Sequence, residues 1–449
     1  MPKKFLKGIS AASLGTGTAD NTKFLRGDLT WQVPSGGGSS GPQNVITNDV
    51  KSLIGKARQG ETVNFAFAGD SEVVGMSLST TSQEQNWPSL VLKGLGVPMK
   101  GWLYRPNQSG SWNPDTRWSW ANGTQAGGGA EGASLRLAYP NGEATFVGTE
   151  ITTEVRVYYY NIGYFATQRG KADIYIDGVY EGTATPSGGG SFGIWTKTGL
   201  APKPHTVRVV AADNVTSRSF ELAGIYQGRA HDGVTRNNAG VSGTTAANWT
   251  TATWFGTLWG HTKFMIAPDL VFIMIGINDH AAATPAATYK ANLLTLIGYI
   301  KNETSAKIVL VVQPPSSSQD ALWDAYVTAQ YEVSSEQNLS IIDIDDRWGS
   351  YTAGNAAGLY GDTTHPSRPG YADIATAILE ELGPADQDGF IERNYDPIVV
   401  VHAGSDLSAA RPHGVSTVYW KFAAGTNTGI DGANVVNAQP GDLFYVASA

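Results

Sequence analysis

NFAFAGDSEVVG, residues 64–75, carries an alternating apolar run that stops at Gly69-Asp70-Ser71, and the residues beyond that stop have helical spacing. NFAFAG (64–69) reads as a buried strand, and the small hydroxyl residue Ser71 stands where that strand gives way to a helix. In open α/β sheets, ligands bind at the carboxyl ends of strands, so the fold and the chemistry both turn on what else reaches this point.

Further along the chain, NWPSLVLKGLG (86–96) has helical spacing of Trp87, Leu90, Val91 and Leu95. From about 97 to 222 the texture is strand after strand. TEVRVYYY (153–160), KADIYIDGVYEG (171–182) and HTVRVVA (205–211) alternate apolar with polar residues, and Asp177-Gly178 predicts a hairpin turn. Strand–helix alternation then resumes. LVFIMIG (270–276), KIVLVVQ (307–313) and SIIDID (340–345) read as buried parallel strands, with helices expected near 285–302, 318–336 and 368–382. The pattern predicts one α/β domain in two pieces, 46–96 and 223–384, interrupted by a β module at 97–222. Residues 1–45 end in the linker composition PSGGGSSGPQ, and 385–449 return to β character.

Composition narrows the function. The chain of 449 residues has no Cys, which excludes a thiol nucleophile and thiolate metal sites. A net charge of −8 argues against nucleic acid as a partner, since phosphate recognition needs clustered Lys and Arg. The N-terminal MPKKFLKGISAASLGTGTA is broken by Lys7 and too short for a secretion signal, and no stretch approaches the roughly 18 apolar residues of a membrane span. None of the seven His stands at His-x-His or His-x-x-x-His spacing, so no metal or other cofactor is expected.

Three further stretches give Ser71 a context: NAGVSGTT (238–245), a Gly-rich turn; Gly276-Ile277-Asn278-Asp279, at the end of LVFIMIG; and DTTHP, in which Asp362 and His365 are three apart. A serine hydroxyl attacks only when a neighbouring base takes its proton, and His365 can do so near neutral pH. Asp362 can lie beside that imidazole and fix its tautomer. Attack on a carbonyl creates an oxyanion, for which the N–H of Ser71, the N–H of Gly243 and the amide of Asn278 are candidate donors. Asp70 reads as a turn residue, and His280 as loop surface with approach to the site as the alternative.

In this order the four pieces resemble the SGNH (GDSL-type) hydrolase family, over roughly 60–90 and 223–384, including Trp87-Pro88 and HPSRPGYADIA. Glu72 stands where the commoner spelling has Leu. The resemblance implies a flavodoxin-like three-layer α/β domain, with Ser71 as nucleophile, His365 as base, Asp362 orienting it, and Ser71, Gly243 and Asn278 around the oxyanion. The segment 97–222 looks like the carbohydrate-binding β-sandwich modules of carbohydrate-active esterases. Within it, Trp102, Tyr104, Trp112, Trp118 and Trp120 stand among polar residues, as a stacking platform for sugar rings or as core.

TADNTKFLRGDLTWQVP (18–34) resembles a segment of bacteriophage tail fibre and tailspike proteins, and ARPHGVSTVYW (410–420) resembles terminal modules of minor tail proteins. That resemblance implies a virion tail component acting extracellularly at the bacterial surface. Its partners would be host polysaccharide and other tail proteins, with a homotrimer among the expected assemblies. The expected activity is removal of O-acetyl groups from that polysaccharide. The alternatives are a lipid or lysophospholipid esterase and a catalytically silent receptor-binding protein.

Overall fold

In an extended run, side chains alternate between two faces, and β1 (Val63–Gly69) carries different sizes on each. Phe65 and Phe67 join one hydrophobic cluster, Ala66 and Ala68 another, and all four are fully buried. The computed structural model describes residues 44–78, 85–104, 117–121, 123–125, 135–161, 170–186, 192–213, 215, 218–229, 232–251 and 257–383. It also gives the backbone of short strands nearer the ends: Phe24–Leu25, Trp31–Gln32, Ile398–Val401, Thr417–Phe422, Gly425–Thr428, Asn434–Ala438 and Leu443–Ala447.

Before β1 runs helix α1 (Asn48–Arg58); after it come the single-turn α2 (Ser71–Val74), α3 (Trp87–Gly94) and strand β2 (Met99–Tyr104). The β-rich block comes next: β3 (Trp118–Ala121), β4 (Gly123–Gln125), β5 (Leu135–Ala138), β6 (Glu143–Val147), β7 (Thr152–Tyr160), β8 (Ala172–Ile176), β9 (Val179–Ala184), β10 (Phe192–Lys203), β11 (Thr206–Ala211) and β12 (Ser219–Gly228). Alternation then resumes with β13 (Val234–Asn238), α4 (Leu258–Met265), β14 (Leu270–Met274), α5 (Ile277–Ala281), α6 (Ala286–Glu303), β15 (Lys307–Val312), α7 (Ala321–Gln337), β16 (Ser340–Asp343), α8 (Ile344–Trp348), α9 (Tyr351–Ala356) and α10 (Arg368–Glu381).

Six strands pair in parallel in the order β2-β13-β1-β14-β15-β16, with helices on both faces. Helices α1, α3 and α10 cover the Phe65/Phe67 face, where Phe67 stacks on Phe272 at 5.2 Å and meets the edge of Trp87 at 5.3 Å. Burying each such ring contributes about 2–3 kcal/mol. Helices α4, α6 and α7 cover the alanine face, where small residues let the helices approach. This is an α/β fold with a mixed sheet, because β2 also pairs antiparallel with β12, and β12 with β7 and β5.

The sheet therefore runs without a break into the β-rich block and counts eleven strands. A second, five-stranded antiparallel sheet, β9-β8-β11-β6-β3, shares a hydrophobic core with the antiparallel half of the first. The sequence reading cuts the chain at 97 and 223. In the structure those cuts fall beside β2 and inside β12, the two strands whose ladder joins the parallel and antiparallel parts. At the expected hairpin both Asp177 (φ 52°) and Gly178 (φ 83°) are left-handed, as a type I′ turn requires.

Residues 383–449 form a separate unit. There Ile398–Val401 pairs in parallel with Thr417–Phe422, Leu443–Ala447 pairs antiparallel with that same strand, and Gly425–Thr428 pairs antiparallel with Asn434–Ala438.

Candidate active site

Gly69 ends β1 at φ 154°, and a Cβ there would lie 2.0 Å from the carbonyl oxygen of Met274 on β14. Only glycine permits that approach, and it brings the ends of β1 and β14 together. Asp70 caps α2, its carboxylate accepting from the N–H of Glu72 at 3.1 Å, so Ser71 becomes the first residue of the helix. Its N–H has no acceptor within that helix.

A one-turn helix leaves its last carbonyls unpaired, and side chains from elsewhere supply donors to two of them and to one in the turn that follows. Asn238 Nδ2 donates to Val73 O at 2.9 Å, Asn86 Nδ2 to Val74 O at 3.1 Å, and the hydroxyl of Tyr371 to Met76 O at 2.9 Å. The turn that presents Ser71 is thus fastened to β13, α3 and α10.

His365 Nε2 lies 3.0 Å from Ser71 Oγ, and His365 Nδ1 lies 2.8 Å from Asp362 Oδ2. Asp362 Oδ1 also accepts the backbone N–H groups of Thr364 and His365, at 2.8 and 2.6 Å. Partial burial pushes this carboxyl up, but the N–H groups and the imidazole beside it outweigh burial and hold it at about 2. It is ionised throughout the neutral range, as an orienting partner for an imidazole must be.

Gly243 is left-handed (φ 77°) with open space where a side chain would project, so its backbone conformation, not crowding, demands glycine. The turn that holds it is tied to α5 twice. Asn278 Nδ2 donates to Thr244 O at 3.0 Å, and Asp279 Oδ2 accepts from Ala246 N at 2.9 Å. An amide has two N–H bonds, so Asn278 keeps one for a ligand.

Beneath Ser71 lies a polar cluster without solvent contact. Gln313 Nε2 is within 3.2 Å of both Asp70 carboxylate oxygens and 3.1 Å from Glu72 Oε2, and Gln313 Oε1 accepts from Ile277 N at 2.8 Å. Desolvation raises Asp70 to about 7, and the nearby Asp279 adds to the rise. Desolvation, then the charge of Asp70, drives Glu72 well above the ordinary range. Two buried carboxyls bridged by one amide cannot both be charged, so the pair holds a proton at neutral pH. Sequence reasoning gives Asp70 only a turn and misses Gln313 altogether; a lone Gln after a strand carries no local signal.

Several expectations need correction. His280 is not at the loop surface: it is buried, bonded through Nε2 to Asp320 at 2.9 Å, and packed edge-on against Trp323 and Tyr326. Tyr104 and Trp118 are core residues, their rings 4.5 and 4.9 Å from Phe146, and do not form an exposed platform. Trp102 is partly buried against the same core, while Trp120, on β3, is 38% exposed. Trp112 and the segments 18–34 and 410–420 lie outside the residues whose side chains are described. Among the described residues, no group of three or more His, Asp or Glu could hold a metal ion, and no helix is long and apolar enough to cross a membrane.

Residues 217–372 match the model of the GDSL-like Lipase/Acylhydrolase family. The match contains Gly243, Asn278, Asp362 and His365; Ser71 lies upstream of it, on the far side of the β-rich block. No curated protein matches the chain. Among solved structures, one described as "Peptidoglycan O-acetylesterase in action" is similar in fold, with a TM-score of 0.54 at 15% identity over 74% of this chain and 95% of the other. A family two carbohydrate esterase from Clostridium thermocellum covers 59% of this chain and 98% of its own at 12% identity, with a TM-score of 0.28. A carbohydrate esterase family 3 protein from Talaromyces cellulolyticus covers 34% and 70% at 23% identity, also with a TM-score of 0.28.

Proposed function

We propose, from the premise that this chain is a carboxylic ester hydrolase with a GDSL/SGNH acylhydrolase domain, that it removes O-acetyl groups from a bacterial surface polysaccharide as part of a phage tail. The observation that carries the hydrolytic reading is the relay from Ser71 Oγ through His365 to Asp362, with contacts of 3.0 and 2.8 Å. As Ser71 Oγ bonds to the acyl carbon, its proton passes to His365 Nε2. The N–H groups of Ser71 and Gly243 and the free N–H of Asn278 receive the oxyanion. When the carbon–oxygen bond to the sugar breaks, His365 returns the proton to the departing alcohol. Water then attacks the acyl-enzyme, His365 takes its proton, and Ser71 leaves with that proton as acetate is released.

The acetyl preference is supported by the likeness in fold to the protein described as a peptidoglycan O-acetylesterase. The β-rich block, read as a sandwich module that engages the glycan, and the sequence resemblance of 18–34 and 410–420 to tail proteins support the setting at a cell surface. The same resemblance supports partnership with other tail proteins and assembly as a homotrimer.

The test is acetate release from O-acetylated polysaccharide by the full chain and by Ser71→Ala. Release by the first and none by the second is expected. Faster cleavage of a long-chain p-nitrophenyl ester than of the acetyl ester would favour a lipid substrate. Unchanged release by Ser71→Ala would end the serine mechanism, and no release by either would favour a receptor-binding protein. Light scattering during gel filtration checks the trimer.

A further inference from the structure

We infer that Ser77, three residues beyond the nucleophile helix, is a positioning residue for the triad carboxylate. Its hydroxyl donates to Asp362 Oδ2 at 2.9 Å, the same oxygen that receives the N–H of His365 Nδ1. With Thr364 and His365 on Oδ1, the carboxylate has four donors for its four lone-pair positions, and Ser77 supplies the fourth.

Two features show that the contact is built. Ser77 has φ 68°, a left-handed conformation that costs a residue with a Cβ and favours glycine. The chain uses glycine two residues earlier, at Gly75 (φ 97°), yet keeps a hydroxyl at 77. Across the gap, a Cβ on Gly361 would fall 2.9 Å from the Cβ of Ser77, so the residue beside Asp362 is bare where the two turns meet. The short stretch from Ser71 to Ser77 thereby carries both the nucleophile and a clamp on the acid, 285 residues away in sequence.

Donation by Ser77 draws negative charge from Oδ2, the oxygen that stabilises a protonated imidazole, and it holds the carboxylate plane against rotation. Glu72 on α2 and Tyr371 on α10 are titratable groups that feel the charge of Asp362. Both stay in place when Ser77 is changed. Because Ser77 is exposed, water replaces part of a lost donor and the effect is moderate.

This inference rests on the ester-hydrolase reading, and the experiment separates the two. Ser77→Ala and Ser77→Gly both remove the hydroxyl, but only glycine relaxes the backbone. In the full chain, both variants are expected to move the acid limb of the kcat/KM profile upward by about half a pH unit. Both should lower kcat by about 5-fold. The ring titration of His365, followed by NMR without substrate, is expected to move upward equally in both. A purely structural Ser77 would give a less stable Ala variant, a Gly variant at least as stable as wild type, and an unmoved titration in each. That outcome overturns the inference. Turnover by wild type and none by Ser71→Ala upholds the hydrolase reading whatever the Ser77 variants do, and the NMR titration decides the role of Ser77 even if no ester is cleaved.

Discussion

Gln313 donates its side-chain amide to Glu72 at 3.1 Å, at a depth where neither side chain touches solvent. The same amide holds Asp70, so the residues on either side of Ser71 are gripped by one group from the end of β15. Burial raises both carboxyls, Asp70 to about 7 and Glu72 well above the ordinary range. A carboxyl held above its unfolded value contributes stability that is fully present below about pH 4 and is lost as pH rises through the folded value. Stability is therefore expected to fall from about pH 4 through pH 7 and beyond. Glu72→Gln keeps the shape and removes one of the two ionisations. At pH 8 its Tm should exceed wild type by about 4 °C, with little difference at pH 4. Melting curves across this range check the point; parallel curves for the two proteins would refute it.

Asp362 lies at about 2, so it stays charged through the mildly acidic and neutral range. Loss of activity in mild acid should therefore follow one proton, with log kcat/KM falling at a slope of about one. Asp362→Asn should lower kcat by about 10³-fold while KM changes little, because the neutral amide no longer fixes the tautomer of His365. A fall of less than about 10-fold would remove Asp362 from the relay.

Asn86 caps α3 through Oδ1 and fastens Val74 through Nδ2. Asn86→Ala should cost about 1–2 kcal/mol from the lost cap and the orphaned carbonyl. If the fastening positions Ser71, kcat should also drop several-fold, and Tyr371→Phe, which frees Met76 O, should do the same. Tm and kcat measured together test this; a lower Tm with unchanged kcat in both variants would limit these bonds to stability.

Trp118 and Trp120 share one strand and differ in burial, the first in the core and the second 38% exposed. Trp118→Ala should destabilise the protein by about 3–5 kcal/mol. Trp120→Ala should change stability by under about 0.5 kcal/mol. Denaturant titration distinguishes them, and only a change at Trp120 can then be read as an effect on glycan binding.

Part of the site was legible because Ser71 and Asn278 follow strand ends, and because Asp362 and His365 stand three apart in one loop between α9 and α10. Helices expected near 285–302, 318–336 and 368–382 occupy 286–303, 321–337 and 368–381. The hydroxyl of Ser71, the ring of His365 and the carboxylate of Asp362 lie in one hydrogen-bonded row. Residues that act through tertiary contact were not legible. Ser77 stands in a turn whose left-handed φ leaves no trace in composition, and Gln313 differs from any polar residue after a strand only by what faces it. The aromatic segment left two readings open for a related reason: Asn, Ser and Gly around a Trp suggest exposure, yet Trp118 is buried beside Phe146 of the neighbouring strand while Trp120 is open.

The ladder between β2 and β12 has a consequence for engineering. Because Leu103 and Tyr104 bond to the β-rich block on one side while Leu103 pairs with β13 on the other, excising that block would strip a partner from β2. The trimmed enzyme would carry a raw sheet margin two strands from the one that leads into Ser71, ready to capture another chain. The block serves as a selvedge for the hydrolase, and a minimal version of this protein would need a replacement border before it stayed soluble.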